Sequence, residues 1–185
     1  MLAARRSMPL AVRRDRDRSL VSTLTRELRH SLAADATVAA HVPFGAEPAA
    51  TCEPRLPEAL AEVGFRVLLP VVLPDRDLDW AEYQGQTSLA YAPRGLSEPT
   101  GPRVGPSAIA AVDAVVAPAV AVDESGVRLG RGGGSYDRAL ARLAPGTPVI
   151  ALLYDDELIR QLPTQPHDRR VTAVITPSAG RRDVG

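Results

Sequence analysis

Residues 54–74, Pro54-Arg55-Leu56-Pro57-Glu58-Ala59-Leu60-Ala61-Glu62-Val63-Gly64-Phe65-Arg66-Val67-Leu68-Leu69-Pro70-Val71-Val72-Leu73-Pro74, carry the pattern that decides the fold. Pro54–Val63 reads as a helix stopped by Gly64. Phe65–Leu73 follows as a β-rich run that ends at Pro74. Upstream, the short apolar run Thr37–Val42 is closed by Pro43 and Gly45, as a buried strand would be. Before it, residues 10–33 read as a long helix, with Leu20, Leu24, Leu28 and Leu32 forming one apolar stripe at i+4 spacing. Downstream, residues 75–108 are rich in turn formers and read as irregular. Ala111–Val122 is an apolar segment broken by Pro118, and Tyr136–Leu143 reads as a helix. Thr147–Tyr154 and Val171–Ile175 are two further strands around a short helix expected at Asp156–Leu162. Helices alternating with short apolar strands predict an α/β three-layer sandwich, a mostly parallel central sheet flanked by helices. In such sheets ligands bind beyond the carboxyl ends of the strands. The loops after Val42, Val122 and Tyr154 are therefore where chemistry is expected.

Composition narrows the function. At about 100–200 residues per domain, 185 residues make one domain, 1–185. Residues 1–9 are expected to be a disordered or truncated start and 178–185 a flexible tail. All 22 basic residues are Arg, balanced by 22 acids, and the chain has no Lys. A Schiff base, a lysine base and a lysine phosphate loop are thereby excluded. Residues 1–30 hold eight Arg against Asp15, Asp17 and Glu27. With no aromatic-basic interleaving after it, this reads as a solvated amphipathic helix and not as a nucleic-acid surface. The single Cys52 excludes an internal disulfide and a cysteine zinc site. No apolar run approaches the roughly 18 residues of a membrane span, and no signal-peptide core follows Met1. A cytoplasmic monomer without membrane or nucleic-acid partners is the expectation.

The strongest local signal is Gly126-Val127-Arg128-Leu129-Gly130-Arg131-Gly132-Gly133-Gly134-Ser135-Tyr136-Asp137-Arg138. Clustered glycines let the backbone approach a ligand and turn its N–H groups inward. A helix starting near Ser135 adds a partial positive charge, and Arg128 and Arg131 add full ones suited to phosphate oxygens. Asp137, in the first helical turn, could hold Mg²⁺ bridging to a nucleotide. The loop lacks the terminal Gly-Lys-Ser/Thr of a Walker A loop and the third glycine of a dinucleotide fingerprint, where Ser135 stands. It reads as an anion loop of another kind, or else as a tight glycine-rich turn.

The same string, Arg128 to Arg138, resembles the signature of the 5-formyltetrahydrofolate cyclo-ligase (methenyltetrahydrofolate synthetase) family. Five further landmarks occur in order. Val42-Pro43-Phe44-Gly45-Ala46-Glu47 resembles its folate-binding segment, and Gly64–Pro70 its next strand. Gly95-Leu96-Ser97-Glu98-Pro99 resembles its Gly-Ile-x-Glu-Pro turn, and Pro118…Asp123–Gly126 its approach to the loop. Pro166-His167-Asp168 with Val171–Thr176 resembles its closing segment. The resemblance implies ATP- and Mg²⁺-dependent cyclisation of 5-formyltetrahydrofolate to 5,10-methenyltetrahydrofolate with release of ADP and phosphate. The formyl oxygen would be phosphorylated and N10 would then close on the activated carbon. Positioning and charge neutralisation would carry the catalysis.

By the same resemblance, Arg128, Leu129, Gly130, Arg131, Gly132, Gly133, Gly134, Ser135 and Tyr136 would bind ATP, with Arg5 and Arg6 as partial substitutes for a basic N-terminal stretch. Arg131, Gly133 and Tyr136 would be catalytic. Val42, Glu47, Trp80, Glu98 and the Arg131–Ser135 stretch would meet the folate, and Asp137 and Asp168 would hold Mg²⁺. A carboxylate such as Glu47 suits the amino-pyrimidine edge of a pterin, although an acid there also reads as a helix-entry residue. Asp168 also reads as a turn residue; Trp80 and Tyr83 would pack on the folate, although a lone Trp also reads as core. His30 and His41 read as bystanders. Gln165 stands where the family carries Glu, and Ser135 where many members carry an aromatic. These departures motivate a second reading, a catalytically weak member that binds folate or nucleotide as a buffer or regulator.

Overall fold

The computed structural model describes residues 1–165 and 168–185. In chain order the elements are α1 (Leu2–Ser7), α2 (Leu10–Ser31), β1 (Thr37–Ala39), α3 (Leu56–Glu62), β2 (Arg66–Val72), β3 (Leu78–Glu82), β4 (Leu89–Tyr91), β5 (Ser97–Pro99), β6 (Ala114–Ala117), β7 (Ala121–Asp123), β8 (Arg128–Leu129), α4 (Ser135–Leu140), β9 (Val149–Leu152), β10 (Leu158–Ile159), β11 (Ala173–Thr176) and β12 (Gly180–Asp183).

Seven of these strands form one sheet in the order β12-β11-β9-β6-β1-β2-β3. Its interior pairings are parallel, and β3 and β12 close its two edges antiparallel. Both faces are covered, so neighbouring residues of one strand enter different cores. Val38, Val67 and Leu69 join the Leu20–Leu24–Leu28 stripe of α2 and Leu56 and Leu60 of α3. Ala39, Leu68 and Val115 pack instead on Ile109, Ala139 and Leu140. The expected three-layer sandwich is the observed one. A small sheet, β10-β7-β8, lies outside the large one, and β4 pairs with β5 as a hairpin.

The chain leaves β1 toward β2 on one side and later places β6 on its other side. The loops after β1 and β6 therefore diverge around a switch point, the crevice position where open α/β sheets bind ligands.

Several elements differ from expectation, each for a physical reason. Within the irregular stretch 75–108 lies β3, whose Asp79 and Glu82 interrupt any apolar signature. Asp79 is buried because it accepts the backbone N–H groups of Trp80 and Gly105 at 2.7 and 2.8 Å. The helix expected at Asp156–Leu162 is a single turn of 3-10 helix, Asp155–Glu157, followed by β10. Glu157 ends it by folding back to accept the Tyr154 N–H at 2.8 Å, and β10 then pairs with β7. The tail expected to be flexible forms β12, hydrogen-bonded along β11 from Ala173 to Thr176. Residues 2–7, expected within a disordered start, form α1, held by buried Arg5. Among the described residues no helix is long and apolar enough to cross a membrane.

Candidate functional site

A cavity of about 790 Å³ opens at the switch point. Its walls come from the loop after β1, the loop after β6, the glycine loop between β8 and α4, the β4–β5 hairpin and, nearer the C-terminus, Leu162, Pro163, Gln165 and Asp168.

The glycine loop is shaped by backbone that only glycine adopts cheaply. Gly134 sits at φ +66° as the residue before α4, and Gly132 at φ +80°. Gly126 anchors the start of the β7–β8 turn, where an added Cβ would lie 2.4 Å from the Val171 carbonyl oxygen. Asp123 fastens the same turn by accepting Ser125 N–H, Val127 N–H and Leu162 N–H at 2.9, 3.0 and 2.9 Å. Burial opposes its ionisation, and these hydrogen bonds overcome that and hold its pKa below the usual carboxylate range.

Two arginines of the loop have different settings. Arg128 is buried, donating to Asp137 Oδ1 at 3.0 Å and to the Pro118 carbonyl at 3.1 Å, with Tyr136 5.7 Å from its guanidinium carbon. Arg131 is half-exposed, pairs with Glu47 Oε1 at 2.9 Å and lies 4.6 Å over the Phe44 ring. Glu47 is itself buried, and its Oε2 accepts the Phe44 N–H at 3.1 Å. Burial pushes the Tyr136 phenol well above the usual tyrosine range, and its buried hydroxyl has no hydrogen-bond partner among the described residues.

Glu47, Val42 and Glu98, expected to meet a folate, all line the cavity, as do Arg128 through Asp137 and Asp168. Glu98 Oε1 accepts the Val72 N–H at 3.1 Å, which ties the β4–β5 hairpin to β2. Asp168 Oδ2 accepts the Gln165 N–H at 2.7 Å. Its neighbours Pro166 and His167, part of the quoted closing segment, lie outside the described residues.

Four residues are placed otherwise than expected. Trp80 is fully buried against Leu68, Leu78 and Ile109 in the core and does not reach the cavity. Tyr83 is likewise buried, in the core beneath α2 and α3. Arg5 reaches the cavity wall with its charge already committed. It pairs with Glu157 and donates to the Ala119 and Val120 carbonyls at 2.9 and 3.2 Å, so it is an anchor for α1. Arg6 is exposed and outside the cavity.

The cavity also takes in residues that the sequence left unassigned. Phe44, Pro70, Val72, Leu78 and Leu96 give it an apolar side. His41, read as a bystander, stands on the wall, with Nδ1 3.2 Å from the Val116 carbonyl oxygen. The residue lies two positions beyond β1, and that placement at a strand's carboxyl end was the available signal.

For a hard divalent cation the donor chemistry fits. Asp137 and Asp168 are both on the wall. Both hydrogen bonds to Asp137, from Arg128 and from the Arg169 N–H, fall on Oδ1. Among the described residues no three His, Cys, Asp or Glu side chains form a closed metal cage. Mg²⁺ suits such a site, since it takes one or two carboxylates and completes its shell with waters and substrate phosphates.

The comparisons with known proteins agree with one another. The model of the 5-formyltetrahydrofolate cyclo-ligase family matches residues 1–177. A 5-formyltetrahydrofolate cyclo-ligase of Mycolicibacterium smegmatis is 42% identical over 185 residues, covering 97% of this chain and 91% of that protein. One from Escherichia coli is 35% identical over 124 residues, 65% of this chain and 68% of that protein. The NMR structure of Aquifex aeolicus 5,10-methenyltetrahydrofolate synthetase superposes with a TM-score of 0.74 at 29% identity, over 98% of this chain and 88% of that one. A 5,10-methenyltetrahydrofolate synthetase from Mycoplasma pneumoniae shares the fold, with a TM-score of 0.72 at 20% identity over 94% and 92% of the two chains.

Proposed function

The chain belongs to the 5-formyltetrahydrofolate cyclo-ligase family, and on that premise we propose that it closes 5-formyltetrahydrofolate to 5,10-methenyltetrahydrofolate using ATP and Mg²⁺. The observation that carries this reading is the Arg131–Glu47 ion pair across the cavity. It joins the loop suited to phosphate directly to the loop suited to a pterin, so two substrates bound there would be neighbours.

In chemical terms ATP supplies the phosphoryl group that turns the formyl oxygen into a leaving group, with Mg²⁺ neutralising phosphate charge. The protein's part is placement. Gly130 to Gly134 offer backbone N–H groups at close approach, and Arg131 adds a full positive charge. Tyr136 stays protonated because burial raises its pKa, so its hydroxyl, without a partner among the described residues, is a hydrogen-bond donor. Glu47 would pair with the amino-pyrimidine edge of the folate, and Val42 and Glu98 flank it. Asp137 and Asp168 would hold the cation. The apolar side of the cavity would keep water from an activated formyl group, which is otherwise easily hydrolysed. No enzyme nucleophile is required, so positioning and charge would carry the phosphoryl transfer.

The test is the methenyl-folate absorbance band, followed with 5-formyltetrahydrofolate, Mg²⁺ and ATP, beside the Asp137→Ala protein and an EDTA control. The expected result is an ATP-dependent rise lost in both controls. A flat trace from folded wild-type protein that still binds 5-formyltetrahydrofolate would replace the ligase with a folate buffer.

A further inference from the structure

The proposed ring closure has a proton to dispose of. When N10 attacks the activated formyl carbon, the N10–C bond forms and the C–O bond to phosphate breaks. The N10 hydrogen must leave as a proton for the cationic methenyl product to result, and nothing is oxidised or reduced. The phosphate leaves with the oxygen and takes up one proton to depart as hydrogen phosphate, so a group on the cavity wall that first accepts the N10 proton can pass it on to the phosphate and be restored.

Most groups on that wall are already committed. Glu47 accepts the Phe44 N–H and holds Arg131. Asp137 holds Arg128, Asp168 accepts the Gln165 N–H, and Glu98 accepts the Val72 N–H. Tyr136 is held in its protonated form. His41 is set up differently. Its Nδ1 lies 3.2 Å from the Val116 carbonyl oxygen. A carbonyl has no hydrogen to give, so Nδ1 must carry the proton and donate. In the neutral ring this leaves Nε2 as a lone-pair acceptor, the tautomer a general base requires.

We infer that His41 accepts the N10 proton during ring closure, from a place fixed by the Val116 carbonyl at the carboxyl end of the central strands. This rests on the cyclo-ligase reading. The charged groups acting on the ring are Glu47, from the loop after β1, and Arg131, from the glycine loop; burial is the largest influence, and the net effect lowers the pKa from 6.5. Glu47 pulls the other way, as does the Val116 carbonyl. The imidazole is therefore neutral and able to accept at physiological pH, and it is protonated and unable to accept in acid.

The experiment measures single-turnover rates with 5-formyltetrahydrofolate, Mg²⁺ and ATP across pH, read as growth of the methenyl absorbance, for wild type and His41→Asn. The asparagine amide keeps a donor for the Val116 carbonyl and removes the base. For wild type the rate should rise with pH along a limb centred below about pH 6.5. In His41→Asn it should fall at least about 100-fold, with that limb gone and both KM values unchanged. An unchanged rate in the variant, or a raised KM at unchanged rate, overturns the inference and leaves the cyclo-ligase standing. Wild type that releases no ADP and forms no methenyl product overturns the cyclo-ligase reading, and the inference with it. Should the variant not fold, a wild-type rate that is flat through acid pH overturns the inference by itself.

Discussion

Arg131 spans the cavity to Glu47, 2.9 Å from Oε1, while its guanidinium covers the Phe44 ring at 4.6 Å. The glycine-rich loop is thus latched onto the segment after β1. The arginine side chain is half in solvent, so the latch is worth only about 0.5–1 kcal/mol. Glu47→Gln should therefore leave the denaturant midpoint nearly unchanged while raising the KM for 5-formyltetrahydrofolate about tenfold or more, the scale of one charge-assisted hydrogen bond. Steady-state kinetics at saturating ATP checks it; an unchanged KM would remove Glu47 from the folate site.

Two glycines of the same region should behave oppositely. Gly126 has φ +82°, and a Cβ there would meet the Val171 carbonyl oxygen at 2.4 Å. Gly126→Ala combines left-handed strain with a backbone clash and should cost about 3 kcal/mol or more. Gly132 has φ +80° but open space around its Cβ position, so Gly132→Ala should cost only the strain, about 1–2 kcal/mol. Its larger effect should be a raised KM for ATP. Urea unfolding and ATP titrations on both variants separate the two roles.

Arg5 is 1% exposed and faces Glu157, which is 4% exposed. Removing one member strands the other's charge away from water, so Arg5→Met should destabilise by about 3–5 kcal/mol. The double variant Arg5→Met, Glu157→Gln should recover part of that loss, because no uncompensated charge is left. A double-mutant cycle by urea unfolding measures the coupling. If Arg5→Met unfolds like wild type, α1 is not held by this pair.

Asp123 gives a pH dependence whose sign follows from its hydrogen bonds. Burial raises its pKa, but donors from Leu162, Ser125 and Val127 outweigh that and lower it overall. A folded-state pKa below the unfolded value means that the stabilisation is fully present above the unfolded pKa, about 3.9. It is lost as pH falls through the lower folded-state value. Asp123→Asn should therefore be less stable than wild type at neutral pH and converge on it in acid. Unfolding free energies from neutral to acid pH test this; a constant gap would mean that the charge is not the source.

The sequence by itself determined the layered α/β fold and the glycine-rich turn ahead of α4, because both rest on local chemistry. Runs such as Val67–Leu69 and Val149–Leu152 are apolar at every position, which suits strands buried on both faces. Glycines at 132 and 134 announce positive-φ backbone before any contact is known. Contacts between distant residues were decided only by the tertiary structure. β12 is Gly-Arg-Arg-Asp and has no strand signature of its own; it is a strand because β11 offers an unpaired edge. Trp80 could have faced a ligand or the core, and the register of β3 against β2 put it in the core. The charge of Arg5 was legible, but its partner Glu157 lies 152 residues away, so whether it meets a ligand or a carboxylate is a property of packing. The same is true of His41, whose tautomer is set by the Val116 carbonyl on a neighbouring strand. Local propensity specifies what a segment can become, and the unique set of long-range pairs specifies which of its side chains are left to do chemistry.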